Sequence, residues 1–436
     1  MFQLPWRTSV GKRTILLLAP SADEEPVNSN AFAASRQYDR SVMRTILLIA
    51  LSAALVLAPP ATPRTAADAG VELVRVPNGG IQPEIAVDRA GVAHMVYLSG
   101  EPGAANVFYV RSADGGRSFL PAVRVNSQEA SAIATGTIRG AQIAIGRSGI
   151  VHVAWNGSDT ALPRPPVNPR TKRAGMPMLY ARANAAGTAF EPQRNLMTRT
   201  TNLDGGGSIA ADARGGVYVA WHGNSITGED GEDARRIWIA RSADGGVTFE
   251  TERPVSDPAT GVCGCCAVRL AATPGGELQL LYRAATDKVH RDIYSMVSRD
   301  QGRTFAGARV QGWEIGACPM TSMSIVAGSR VLRAWETDGQ VYFNSTAAGD
   351  PPKAPPVAGG SEMMRRKHPR LAVNQQGTVL LAWTDGTAWA RGGSLAWQAF
   401  GADGRPTSVE GTRPGIPVWS FAAVLARPDG GFTIFY

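Results

Sequence analysis

One short phrase returns seven times along this chain, and that return limits what the chain can fold into. A small apolar segment meets a turn, and a second apolar segment ends in Tyr or Trp. The phrase reads PEIAVDRAGVAHMVY up to Tyr97, AQIAIGRSGIVHVAW up to Trp155 and SIAADARGGVYVAW up to Trp221. It continues as RLAATPGGELQLLY up to Tyr282, SIVAGSRVLRAW up to Trp335, RLAVNQQGTVLLAW up to Trp383 and AVLARPDGGFTIFY up to Tyr436. The aromatic ends lie 58, 66, 61, 53, 48 and 53 residues apart. Apolar residues alternate within each phrase, which is the two-residue period of a strand. A fixed period of this length indicates radial repetition. Gly 49 and Pro 29 among 436 residues suit a chain of many short strands and turns. The expected fold is all-β: one β-propeller of four-stranded antiparallel blades, seven in number, or six if one strand pair is peripheral.

A second motif follows the first. Ser112, Asp114, Gly116 and Phe119 share their spacing with Ser242, Asp244, Gly246 and Phe249, and with Ser298, Asp300, Gly302 and Phe305. A degenerate copy at 183–190 lacks the Asp. These are Asp boxes, S-x-D-x-G-x-x-F, and here the chain resembles the sialidase-like, BNR-repeat β-propellers over almost all of residues 70–436. The box residues are expected to be structural: the Asp binds the N–H groups of its own turn, the Gly takes positive φ, and the Phe packs into the sheet.

Each unit then reads as strands A to D, with the Asp box between C and D. The last A–B pair ends the sequence, and Val71–Pro77 is expected to act as a D strand closing the ring beside it. In an antiparallel blade the D-to-A and B-to-C connections share one face, and A-to-B turns share the other with the Asp boxes. The first face receives the long B-to-C loops and is where function is expected. Trp155, Trp221, Trp335 and Trp383 recur at one repeat position and are expected to pack rather than to bind.

Ahead of the repeats, Arg44 precedes an apolar run from Ile46 to Leu57, followed by small residues and prolines up to Ala69. This reads as a secretory signal over 43–69, with 1–42 as a start-site extension and 70–436 as the exported domain, secreted or periplasmic. The run is too short to span a membrane. The net charge of +8 is spread along the chain, so nucleic-acid binding is not expected. A carbohydrate or other small ligand is.

The resemblance implies a test for sialidase activity: three arginines clamping a carboxylate, a Tyr nucleophile paired with Glu, and an Asp acid/base. The family's first arginine, in an Arg-Ile-Pro motif, is absent; the comparable stretch is Gly80 to Pro83. Weak catalytic candidates on the loop face are Arg139, Arg283, Arg291, Asp292, Glu336 and Tyr282. Arg366 and Asp385 lie there too. Ordinary ion pairs and hydrogen bonds are the expected roles, and exo-glycosidase activity is the alternative to ligand binding.

Four cysteines stand out. Cys263, Cys265 and Cys266 precede strand A of the fourth unit, and Cys318 precedes strand A of the fifth. The two segments are expected to converge on the loop face, near His222, His290, Arg283, Arg291 and Asp292. A subset of secreted sialidase-like propellers is similar in combining a C-x-C-C segment, an Arg-Asp pair and a later Cys-Pro. In an exported protein an even cysteine count indicates disulfides. One bridge from the triplet to Cys318 would leave Cys263–Cys265 or the vicinal Cys265–Cys266 as the other pair. The alternatives are a thiolate site for copper or zinc, joined by Met320 and His, and a redox-active thiol pair.

Overall fold

The computed structural model describes residues 70–328, 330–347, 349–355 and 365–436. The expected signal segment and its preceding extension lie outside the described residues. No described helix is long and apolar enough to cross a membrane.

The described residues form seven sheets, one per repeated phrase. Blade 1 is Ile81–Val87, Ala93–Glu101, Ala104–Ser112 and Val123–Arg124. Blade 2 is Gln142–Ile145, Val151–Asn156, Met178–Arg182 and Arg194–Asn195. Blade 3 is Ser208–Ala211, Val217–Ser225, Arg236–Ser242 and Arg253–Pro254, with Thr200–Thr201 added against the far end of its second strand. Blade 4 is Arg269–Ala272, Leu278–Arg283, Ile293–Ser298 and Ala306–Gln311. Blade 5 has three strands among the described residues, Ser324–Ala327, Val331–Thr337 and Gln340–Ser345. Blade 6 is Arg366–Val373, Val379–Asp385, Gly393–Phe400 and Pro406–Ile416. Blade 7 is Ala423–Ala426, Phe432–Phe435 and Val71–Val74. The count is therefore seven, not six.

The ring closes as expected, with one change. Val71–Val74 pairs directly with Phe432–Phe435, in parallel register. It lies beside the second strand, where the other blades carry their third, while running in the direction of a D strand, because D and B are parallel in an antiparallel blade. Joining the start of the propeller to its last strand leaves the ring without an open seam.

The first strands of all seven blades line an axial channel of about 540 Å³. The recurring aromatics sit between sheets: Trp155, Trp221 and Trp335 are fully buried and Trp383 nearly so, which bears out their packing role. His94 and His152 also pack within their sheets, each with Nδ1 against a tyrosine hydroxyl, Tyr109 at 2.7 Å and Tyr180 at 2.8 Å.

The Asp boxes lie at the end of the A-to-B turns, where Gly245 donates its N–H to Gly215 in the turn of its own blade. Asp244 accepts the Thr248 N–H at 2.9 Å, and Ser242 Oγ accepts the Gly246 N–H at 2.9 Å. The Ser112–Phe119 and Ser298–Phe305 boxes repeat both bonds. Gly246 has φ 78°, and a Cβ there would collide with the Tyr180 hydroxyl. Phe249 meets the Tyr180 ring edge-on at 4.8 Å, so the box of blade 3 clamps onto blade 2. The degenerate copy retains this clamp: Phe190 meets Tyr109 of blade 1 at 5.6 Å.

Candidate functional site

The loop-face end of the channel is polar because of one repeat position. One aligned position of the strand-A phrase holds Glu84, Gln142, Ser208, Arg269, Ser324, Arg370 and Ala423 in blades 1 to 7. Glu84 pairs with Arg269 at 3.0 Å and with Arg370 at 3.7 Å. Arg269 also donates to Gln142 and to the Met323 carbonyl, and Arg370 stacks 4.3 Å over the Phe421 ring. Burial, with Arg269 beside it, pulls the Arg370 pKa down to about 9 despite Glu84. Sequence reasoning missed this ring; its signal was a polar residue at one aligned position of the strand-A segment in six of seven copies.

Backbone irregularities gather at the same end. Gln82 and His368 have φ 53° and 54° and precede Pro83 and Pro369, where the first strands of blades 1 and 6 slip register. These bulges turn both side chains inward: Gln82 donates to the Ala134 carbonyl, and His368 Nδ1 lies 3.0 Å from Ser322 Oγ. Above them, Trp389 is 61% exposed and meets Trp419 edge-on at 4.7 Å.

The weak catalytic candidates hold the loops together. Arg139 is tied to Asp204 and the Thr135 carbonyl. Arg283 is fully buried, donates to Thr321 Oγ1 at 2.8 Å and to the carbonyls of Arg291 and Glu336, and lies 4.9 Å over Trp313. Arg291 pairs with Glu232 at 2.8 Å. Asp292 accepts the Trp313 N–H, and Glu336 accepts Lys367 Nζ and the His368 N–H. The Tyr282 hydroxyl lies 3.0 Å from Thr260 Oγ1, and burial pushes its pKa up to about 12. Arg366 stacks 5.0 Å over Trp383, and Asp385 is exposed.

The two cysteine segments converge. Cys265 and Cys318 form a disulfide with Cα atoms 6.4 Å apart, within the span such a bond needs. Cys263 and Cys266 are buried free thiols with Sγ atoms 2.8 Å apart. This corrects the expected second pair, which was Cys263–Cys265 or Cys265–Cys266. The reason is local: Gly264 and Cys265 form a turn, which brings its flanking residues together and directs Cys265 outward. Cys318 is exposed, Cys265 half-buried.

The segment is held by three blades. Cys263 donates its N–H to the Arg283 carbonyl, Gly264 accepts from Gly205, and Ala267 donates to Thr321. Gly205 admits no side chain, because a Cβ would strike the Cys266 carbonyl and the His222 ring. Glu232 accepts the Gly264 N–H at 2.6 Å.

Buried Arg235 and Arg283 make the surroundings electropositive. Burial raises the Cys266 thiol, but the Cys263 proton, the Arg283 charge and the Thr321 hydroxyl outweigh it and bring its pKa down to about 7. Cys263, which donates to Cys266 and is itself buried, is pushed well up. His222 sits beside the cluster but does not offer it a nitrogen: Nε2 lies 3.0 Å from the Cys266 carbonyl and Nδ1 3.1 Å from Arg235. Burial and Arg235 hold it well below the usual imidazole range. Met320 reaches toward Gly136 and Trp389 at the channel mouth. His290 pairs through its backbone with Thr286 and Glu314. The sulfurs of Cys263, Cys265 and Cys266 all lie within 4.8 Å of one another, a donor set that could hold a soft metal ion once the Cys265–Cys318 bond is reduced.

No family model matches the chain, and neither does any curated protein. Solved structures with a similar fold include a protein of unknown function from Dyadobacter fermentans DSM 18053, at 14% identity and TM-score 0.49, covering 80% of this chain and 98% of that one. The Hadza microbial sialidase Hz136 is similar at 12% identity and TM-score 0.45, covering 76% and 72%. A Penicillium chrysogenum alpha-L-arabinanase complexed with arabinobiose is similar at 12% and 0.46, covering 76% and 95%. At these identities the likeness goes no further than fold.

Proposed function

We infer that this is an exported sialidase-like propeller that binds a small ligand on its loop face and holds a soft metal ion, copper(I) or zinc, at its cysteine centre. The observation that carries the reading is the convergence of four sulfurs from two adjacent blade entrances in one electropositive site. Cys263 and Cys266 are the inner donors; reduction of the Cys265–Cys318 bond adds two more. Thiolates suit copper(I) and zinc because both are soft enough to prefer sulfur. Exposed Trp389 with Trp419 supports a ligand that stacks a ring, such as a sugar.

The test is metal uptake by the reduced full chain. Titration with copper(I) against a chromophoric chelator, and with zinc in parallel, is expected to give one ion per chain and to fail in Cys266→Ser. Absence of retention of either metal by the reduced wild type would refute the metal reading. The alternative, a glycosidase, is tested with a fluorogenic sialoside; little or no release is expected, since the candidate arginines and carboxylates serve as loop struts. Robust turnover lost on changing Arg291 would favour the enzyme.

A further inference from the structure

The four sulfurs form a series from solvent to interior. Exposed Cys318 is bonded to half-buried Cys265; Cys265 Sγ lies 3.6 Å from Cys263 Sγ, which lies 2.8 Å from Cys266 Sγ. An oxidised outer pair thus faces a reduced inner pair across a single non-bonded gap. That gap is close to the separation, about 3–3.5 Å, from which positioned groups react.

We propose that the centre is a thiol–disulfide relay, in which the buried Cys263/Cys266 dithiol passes two electrons through Cys265 and Cys318 to an external disulfide. Cys263 passes its proton to the Cys266 sulfur 2.8 Å away and, now a thiolate, attacks Cys265 Sγ; the Cys265–Cys318 bond breaks and Cys318 leaves as a thiolate. Cys266 then attacks Cys263 Sγ; the Cys263–Cys265 bond breaks, and Cys265 takes up the proton of Cys266. The inner pair is now a disulfide and the outer pair a dithiol, with atoms, protons and electrons conserved inside the chain. The outer dithiol, exposed at Cys318, next reduces an external R–S–S–R to two R–SH and becomes a disulfide again.

Two features suit the centre to this chemistry. The inner thiols flank one turn, which brings them together. The outer bond joins different blade entrances, so its exposed end is presented on a separate loop. The Thr321 hydroxyl donates to Cys266 Sγ at 3.3 Å and receives Arg283 Nε, which links the inner sulfur to a fixed buried cation. The relay uses the same sulfurs as the metal reading but needs no metal.

The test uses the full chain with a chelator present throughout, so that the relay and the metal site fail separately. The protein is poised in glutathione buffers from reducing to oxidising, quenched in acid, labelled with N-ethylmaleimide and mapped after trypsin. Arginines between Cys266 and Cys318 place the triplet and Cys318 on different peptides. The relay requires two forms of the chain with one disulfide: linked peptides with Cys263 and Cys266 labelled, and unlinked peptides with Cys265 and Cys318 labelled. In Cys266→Ser the second step is blocked, and an unlinked form with a Cys263–Cys265 bond and labelled Cys318 is expected to increase. The wild-type map decides the matter even if that variant folds poorly. If Cys318 is labelled only in chains with all four cysteines labelled, the relay is overturned.

Discussion

Glu84 and Arg269 meet 3.0 Å apart across the propeller axis although 185 residues separate them in sequence. Arg370 shares the same carboxylate. Two buried guanidinium groups on the axis therefore share one half-buried anion, and losing it leaves like charges facing each other across the channel. Glu84→Gln is expected to destabilise by about 1–3 kcal/mol, less than for a fully buried pair, since two buried guanidinium groups lose a half-buried counter-charge. A lower urea midpoint with unchanged slope would show it. A midpoint equal to that of the wild type would mean that the axis tolerates the bare pair.

The buried histidines predict acid sensitivity. Burial lowers the His152 pKa to about 3 and holds His222 and His368 well below their ordinary value. Their unfolded value is about 6.5. The unfolded chain therefore binds more protons below that pH. Stability is full above about pH 6.5 and falls as pH drops toward the folded values, by up to about 1.4 kcal/mol per pH unit for each histidine. Urea midpoints between pH 7.5 and 5 check the slope, and His152→Gln is expected to reduce it by one proton.

The Asp boxes act locally and with a separate pH window. Hydroxyl and N–H donors hold Asp114, Asp244 and Asp300 below the usual carboxylate range, with Ser112, Thr248 and Thr304 the largest contributors respectively. Their contribution is present above about pH 4 and is lost as pH falls through the folded value. Asp244→Ala is expected to cost about 1 kcal/mol. It should also speed hydrogen exchange at the Thr248 amide, leaving amides of the other two boxes unchanged.

The Cys265–Cys318 bond closes a sequence separation of 53 residues. By chain entropy, a loop of that size contributes about 4 kcal/mol. Adding reductant should lower the urea midpoint of the wild type and leave that of Cys318→Ser unmoved. An equal reductant effect in both proteins would place the stabilising sulfur chemistry elsewhere.

The sequence alone determined the blade, because a strand phrase and an Asp box are local patterns whose spacing repeats in the chain itself. Seven phrases became seven sheets, and two cysteine segments at equivalent strand entrances had to meet on one face. Partner choice was decided only by the tertiary structure. Cys318 takes Cys265 because a turn at Gly264 directs that side chain outward and folds Cys263 onto Cys266. Arg283, conspicuous as a loop-face arginine, is a buried strut because the carbonyls of Arg291 and Glu336 converge on it from adjacent blades. The axial ring was written as one polar residue in six of the seven phrases, but its ion pairs cross the ring. Repeat periodicity places each residue within its own blade, whereas a charge is satisfied by whatever the closed ring brings opposite to it.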